Sequence, residues 1–369
     1  MRRGFAIFVV AIQSFLFLAH FFLYRTWIDF WRPPDPMGVS NLQLALGLLS
    51  ITFIAASILA FRYFNLIVRC FYKIAAVWLG FFSFFFYAAF ACWIALAISG
   101  LFGLAWSRRA IAAVCFALAL AAGLYGIANA CWTRTTQITV KLPNLPPAWR
   151  GRTAALVSDL HLGHVRNYRF VRRVVRMLAR LQPDVVLIAG DMYDGTNADL
   201  DGFAEPWKEL LPPFGKYFVA GNHEEFTDHT KYLDAVRRAG IRVLDNEKTD
   251  VDGLQVIGVH YRDSSLAPRF RSILEKAQID RKAASVLLTH APHLLDTAEQ
   301  AGISLQLSRH THGGQFAPYT WSTRRIYGKY IYGLQRLGNM TTYTSYGVGT
   351  WGPPMRVGTR PEIALIRFE

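Results

Sequence analysis

Five short clusters of Asp, Asn and His punctuate the last two thirds of the chain: Asp159-Leu160-His161, Asp191-Met192-Tyr193-Asp194, Asn222-His223-Glu224, His290, and His310-Thr311-His312. Carboxylate, amide and imidazole without thiolate suit borderline-hard divalent cations such as Mn²⁺, Fe²⁺ or Zn²⁺ rather than a structural zinc. The four cysteines, Cys70, Cys92, Cys115 and Cys131, all precede the clusters. No disulfide framework or Cys-based zinc site can therefore form around them. Two cations ~3.5–4 Å apart can hold a hydroxide between them and clamp both the attacking and the leaving oxygen of a phosphoryl group. A lone Asp-x-His commonly decorates a surface, but five such clusters in order are hard to reconcile with decoration.

The elements that must carry these residues are legible. Short apolar runs at 154–157, 185–189, 218–220, 286–288 and 303–307 have the length and branched content of buried strands. Each cluster begins where one of these runs stops, which is where α/β sheets place their sites. Residues 170–181 read as an amphipathic helix, with Phe170, Val171, Val174, Val175, Leu178 and Leu181 on one face and Arg172, Arg173, Arg176 and Arg180 on the other. Further helices are expected at 232–238, before Gly240, and at 292–300, from Pro292 to a stop at Gly302. The alternation predicts an α/β domain.

The cluster pattern Asp-x-His, Gly-Asp-x-x-Asp, Gly-Asn-His-Glu, His and His-x-His resembles that of the calcineurin-like metallophosphoesterases. It is most similar to the membrane-anchored bacterial phosphohydrolases of that superfamily, whose late segments resemble 310–315 and 347–363. The resemblance covers about residues 150–369 and implies a two-sheet β-sandwich flanked by helices. It also implies a dinuclear centre, with Asp159, His161, Asp191 and His312 on one metal and Asp191, Asn222, His290 and His310 on the other. His223 is the implied general acid, oriented by Asp194, and Glu224 a structural partner within its loop. One residue departs from the pattern: Arg309 stands where the family has glycine. A guanidinium there either opposes metal binding or points at the substrate phosphate, and exchange for glycine is expected to raise metal occupancy.

Ahead of this domain the composition changes. Residues 1–132 carry nine Lys or Arg against two acids, Asp29 and Asp35, of the 40 basic and 25 acidic residues in the whole chain. Four stretches, 5–24, 42–61, 74–96 and 110–130, are long and apolar enough to cross a bilayer. The third runs on toward Trp106, which calls for tilt or an interfacial extension. The reading is a membrane anchor of about four helices over 1–132, a linker over 133–150 that begins with a short strand-like stretch at 137–140, and the phosphoesterase domain over 151–369. Arg2 and Arg3 are followed by too long an apolar run, with no small-residue cleavage site, for a removed leader. Seven basic residues against four in the flanking loops put the catalytic domain in the cytoplasm, on a multi-pass protein of the cell (inner) membrane. The spans hold no acid–base pair that would suggest an ion pathway, so a transporter ranks last among the readings, and His20 is expected near a helix end, reaching the interface.

Remaining histidines, His164, His229, His260 and His293, are read as surface or supporting residues. The segment 321–337 interleaves Arg324, Arg325, Lys329 and Arg336 with Tyr327, Tyr330, Ile331, Tyr332 and Leu334, a mixture suited to a membrane-facing lip. No nucleic-acid partner is expected; membrane lipids are. The implied activity is hydrolysis of a phosphodiester or phosphomonoester, lipid-linked or close to the membrane, by a metal-bridging hydroxide. The alternatives are attack on the pyrophosphate of a nucleotide-linked lipid, or a non-catalytic metal-binding protein disabled by Arg309.

Overall fold

The computed structural model describes residues 2–32, 35–226 and 229–369. The side chains of residues 2, 3 and 5 lie outside that description, and with them the charges expected of Arg2 and Arg3. Two compact units result: residues 1–128 with 352–355, and residues 129–351 with 356–369.

The first unit is helical. It holds α1 (Arg2–Trp31), α2 (Pro36–Arg62), α3 (Leu66–Leu101) and most of α4 (Arg108–Cys131), with hydropathy of 2.1 to 2.4 in their most apolar windows. Asp35 caps α2 by accepting from the amides of Met37 (3.0 Å) and Gly38 (2.9 Å), and Asn65 caps α3 at the amide of Val68 (3.0 Å). Such caps satisfy amides that have no partner within the helix. The third helix is one continuous 36-residue element. At ~1.5 Å per residue it spans ~54 Å, beyond the ~30 Å hydrocarbon core, so tilt or protrusion replaces a separate interfacial segment. His20 departs from expectation. It is buried, stacks on Phe82 at 3.7 Å, accepts from Trp78 Nε1 (3.0 Å) and donates from Nδ1 to the Leu16 carbonyl (2.8 Å). Satisfying both nitrogens inside the bundle removes the drive to reach water.

The second unit is a two-sheet sandwich. Its strands are β1 (Arg134–Val140), β2 (Thr153–Val157), β3 (Val185–Ile188), β4 (Lys216–Phe218), β5 (Arg242–Val243), β6 (Glu247–Val251), β7 (Leu254–Val259), β8 (Ser285–Thr289), β9 (Leu305–Ser308), β10 (Gly333–Leu337), β11 (Met340–Thr344) and β12 (Glu362–Phe368). One sheet runs β1-β12-β2-β3-β4-β5 and the other β10-β11-β9-β8-β7-β6. The central strands β2-β3-β4 and β7-β8-β9 are parallel, and antiparallel pairs occur toward the edges. Leu156, Leu187 and Ile366 from the first sheet meet Val256, Leu288 and Leu307 from the second in one buried core. Strands covered on both faces read as unbroken apolar runs.

The segment 133–150 is not a linker. β1 pairs in parallel with β12 from Arg134↔Glu362 to Val140↔Phe368, and Trp149 is buried, donating from Nε1 to the Val251 carbonyl (2.7 Å). Helix α5 (Tyr168–Leu181) buries the face expected of it. The helices at 232–238 and 292–300 are shifted. The first begins at His229. The second covers Leu295–Ala301, because Leu294 adopts a left-handed conformation (φ 49°) that excludes Pro292 from it.

Candidate metal centre

All the ligand candidates emerge from the carboxyl ends of strands: Asp159 and His161 after β2, Asp191 after β3, Asn222 after β4, His290 after β8, and His310 and His312 after β9. Five of these seven have positive φ: Asp159 (49°), His161 (48°), Asp191 (50°), His310 (70°) and His312 (47°). A left-handed non-glycine residue costs of order 1–3 kcal/mol and persists only where its surroundings enforce it. Here Glu224 does much of the enforcing. Its buried carboxylate accepts from the amides of Asp191 (2.9 Å), Gly221 (2.8 Å) and Tyr193 (3.0 Å), fastening two of the loops together. Gly190 (φ 82°) permits their close approach, since a Cβ there would lie 2.5 Å from the Gly221 amide and 2.8 Å from His290 Nδ1.

The donors converge in two sets. In the second, His290 Nε2 lies 3.1 Å from His310 Nδ1, 3.2 Å from Asn222 Oδ1 and 3.2 Å from Asp191 Oδ2. The other ring nitrogen of His290 donates to the Ala189 carbonyl (2.7 Å), which aims Nε2 inward as ligating histidines require. One carboxylate, one amide oxygen and two imidazoles around a common point fit a divalent cation. Burial opposes protonation of His290, yet the Asp191 charge and hydrogen bond raise it to about 9. Burial and the neighbouring His290 lower His310 to about 3.

In the first set, His161 Nε2 lies 3.1 Å from His312 Nε2, 3.5 Å from Asp159 Oδ1 and 3.8 Å from Asp191 Oδ2, while His312 Nε2 is 3.1 Å from Asp159 Oδ1. Residue types and spacing again suit a cation, but this set already contains one. The fully buried Arg309 pairs through Nη1 with Asp159 Oδ1, and its Nη2 donates to His312 Nδ1 (3.2 Å). A second buried guanidinium, Arg356, points Nη2 at the same Nδ1 (3.4 Å) and donates from Nη1 to the His312 carbonyl (3.1 Å). Against the pull of burial, Arg309 and then His312 hold the Asp159 carboxyl well below the usual carboxylate range. Asp159 Oδ2 is buried without a hydrogen-bond partner.

His223 lies beside both sets. Its amide donates to Asp191 Oδ1 (3.0 Å) and its ring Nδ1 to the Asp194 carbonyl (3.0 Å). Asp194 thus orients it through the main chain, while the Asp194 carboxylate stands 3.5 Å from His161 Nδ1 and 3.9 Å from His223 Nδ1. Burial, outweighing the Asp191 charge, keeps His223 below the ordinary imidazole range. Burial thus disfavours the imidazolium, and with Nδ1 donating to the Asp194 carbonyl the neutral ring keeps its lone pair on Nε2. Phe226 (4.4 Å) and the half-exposed Trp351 (5.9 Å) border it.

The remaining histidines support rather than ligate. His164 is buried with Nδ1 3.3 Å from Thr196 Oγ1; His260 accepts from the Ala220 amide (2.9 Å) and faces Asp245 (3.1 Å); His229 is exposed. His293 stacks on Tyr327 and borders, with Tyr261, the His310 side of the centre. Beside it Pro292, His293, Leu294, Ile326, Tyr327 and Tyr330 line an open groove. Of the expected lip, Tyr332 turns inward, stacking on Tyr346 at 3.8 Å and donating to Glu362 Oε2 (3.1 Å). Trp321 (66% exposed) and Ile326 (76%) present its apolar surface instead. Arg356 lies within the 347–363 segment of the resemblance, but nothing in the sequence assigned it a role there.

Residues 153–314 match the calcineurin-like phosphoesterase family. An uncharacterized metallophosphoesterase of Aquifex aeolicus is 34% identical over 259 residues, covering 68% of this chain and 98% of that protein. A transmembrane protein with a metallophosphoesterase domain from Danio rerio is 31% identical over 276 residues, covering 70% of this chain but 62% of its own length. An uncharacterized metallophosphoesterase of Bacillus subtilis is 28% identical over 249 residues, covering 64% of this chain and 85% of that protein.

Proposed function

Because the chain belongs to the calcineurin-like metallophosphoesterase family, a family of phosphoester hydrolases, we propose that it is a membrane-anchored enzyme cleaving a phosphodiester or phosphomonoester whose apolar portion is lipid-linked or close to the membrane. The observation that carries this reading is the convergence of Asp191, Asn222, His290 and His310 around one point with His223 beside it. Those four residues would hold a divalent ion, whose chemistry there would be Lewis-acid charge for a phosphoryl oxygen and a lowered pKa for water.

The chain's own groups do the rest. The His223 amide fixes Asp191 through Oδ1, leaving Oδ2 for the cation. His223 Nε2, its ring set by the Asp194 carbonyl, handles the leaving-group proton. A bound phosphate's negative charge favours the imidazolium there, which restores the acid that burial suppresses. The groove along His293, Tyr327 and Tyr330 takes the substrate's apolar part, and Trp321 and Ile326, beside Arg324 and Arg325, contact lipid. Four apolar helices and a transmembrane relative make this a membrane protein; the loop charges favour a cytoplasmic catalytic unit.

The test is hydrolysis of an aryl phosphodiester and an aryl phosphomonoester by the full chain in detergent, stripped and reloaded with Mn²⁺, beside Asp191→Asn. Mn²⁺-dependent turnover abolished in the variant supports the reading; absence of both turnover and bound metal refutes it. For the substrate's setting, Trp321→Ala/Ile326→Ser should lower turnover of a phospholipid in vesicles at least several-fold while sparing the aryl esters. Equal loss on both would remove the lipid contact.

A further inference from the structure

The two ligand sets differ in one respect that the donor residues alone do not reveal. The second is open to a cation. The first is filled: Arg309, wholly buried, pairs through Nη1 with Asp159 Oδ1 and donates through Nη2 to His312 Nδ1, and Arg356 approaches that same nitrogen at 3.4 Å. Guanidinium groups only donate. His312 Nδ1, facing two of them, must carry the ring's lone pair, so the neutral ring holds its hydrogen on Nε2. That is the atom turned toward Asp159 Oδ1 (3.1 Å) and His161 Nε2 (3.1 Å). A metal bound there would need the lone pair on Nε2, the opposite tautomer, which would point an N–H at two guanidiniums. The Arg309 side chain is also held from behind, since Gly347 (φ 64°) is packed so closely against its Nε and Cζ that a Cβ would collide with them. Its amide is tied to the His290 carbonyl (2.7 Å), which couples the Arg309 backbone to the second set.

We propose that this phosphoesterase holds a single metal ion, at Asp191, Asn222, His290 and His310, and that the Arg309 guanidinium stands as a built-in cation where the first ion of a dinuclear centre would sit. The inference rests on the metal-dependent reading above. Arg309 neutralises Asp159 and Arg356 fixes the His312 tautomer, so the first set becomes a permanent positive wall beside the one exchangeable ion. Arg309 is then a positioning residue and not a ligand.

Stoichiometry tests it without reference to turnover. The full chain in detergent is stripped with chelator, reloaded with Mn²⁺ and dialysed. Mn per chain is read by atomic emission, and the spin state by low-temperature electron paramagnetic resonance. Wild type should hold one Mn per chain with the six-line spectrum of an isolated ion, and Arg309→Gly two with an exchange-coupled spectrum. Asp159→Asn should keep its single ion, and His290→Ala should lose it. Two coupled ions in wild type, or loss of one of two in Asp159→Asn, would overturn the inference and leave the metal-dependent reading standing; no bound Mn in wild type would overturn both. Should Arg309→Gly fail to fold, wild type and Asp159→Asn still decide the matter.

Discussion

Metal and proton compete for the same nitrogen of His290, and the structure fixes how strongly. Burial disfavours the imidazolium, but Asp191 and the Ala189 carbonyl outweigh it and raise His290 to about 9, while His310 is already neutral at about 3. The metal-free second set therefore carries one proton at neutral pH, on the ring whose Nε2 faces the other donors. Since that proton belongs only to the metal-free form, apparent affinity must fall as pH falls below 9 and level off above it. The apparent dissociation constant scales as one plus the ratio of proton concentration to the acid constant. Between pH 8.5 and pH 6.5 it should weaken by between one and two orders of magnitude, about 2 kcal/mol. Free Mn²⁺ measured by its solution spectrum during titration gives the constant at each pH. An indicator dye in weakly buffered solution counts protons, which should number near one per ion at pH 7. A change below about fivefold across that range, or no proton release, would refute the assignment of the proton to His290. Release of two protons for two ions would contradict the single-ion centre from a second direction, because His161 is likewise raised to about 9, against burial, by the Asp159 and Asp194 carboxylates beside it.

Two further outcomes follow from the same geometry. His223→Gln should lower kcat on aryl esters by about 10²–10⁴ while leaving Mn per chain unchanged, with the smaller loss on the better leaving group; equal losses across leaving groups would remove His223 from proton transfer. Glu224→Ala exposes three buried amides that now share its carboxylate, so the catalytic unit should melt at a lower temperature by an amount worth about 3 kcal/mol or more, followed by near-UV circular dichroism; a wild-type melt would show that other groups fasten those loops.

Most of the parallel strands behind the centre were plain in the sequence because burial on both faces makes them uninterrupted apolar runs, and the clusters at their ends contain the seven residues that the structure gathers into the two sets. What escaped has physical causes. β7 carries Gly258 next to its end, where the Leu244 and Val219 side chains pack against its backbone, and the glycine broke the signal of a strand. β1 alternates half-buried and exposed residues along its length, so only its strand-like end at 137–140 stood out from the linker reading, and its register with β12 supplied the missing partner. Arg309 was conspicuous as a departure, yet whether a guanidinium repels, binds phosphate or replaces a metal depends on which atoms it meets. Those atoms, Asp159 Oδ1 and His312 Nδ1, are brought to it from two different strands. Arg356 was unreadable for the same reason, its partners lying 7 and 44 residues away.

The position of β12 bears on how the protein is made. This strand lies between β1 and β2, and the buried Glu362 at its start accepts hydrogen bonds from Thr136 (2.6 Å), Tyr343 (3.2 Å) and Ser345 (3.1 Å), the first of them 226 residues away in sequence. During synthesis β1 emerges directly after the apolar helices and must wait, with β2 also open along one edge, until almost the whole catalytic unit has been translated. An unpaired strand edge is a template for the wrong neighbour. Deletion of β12 alone would therefore spare every candidate metal donor, and still leave a nascent chain whose first sheet could not close.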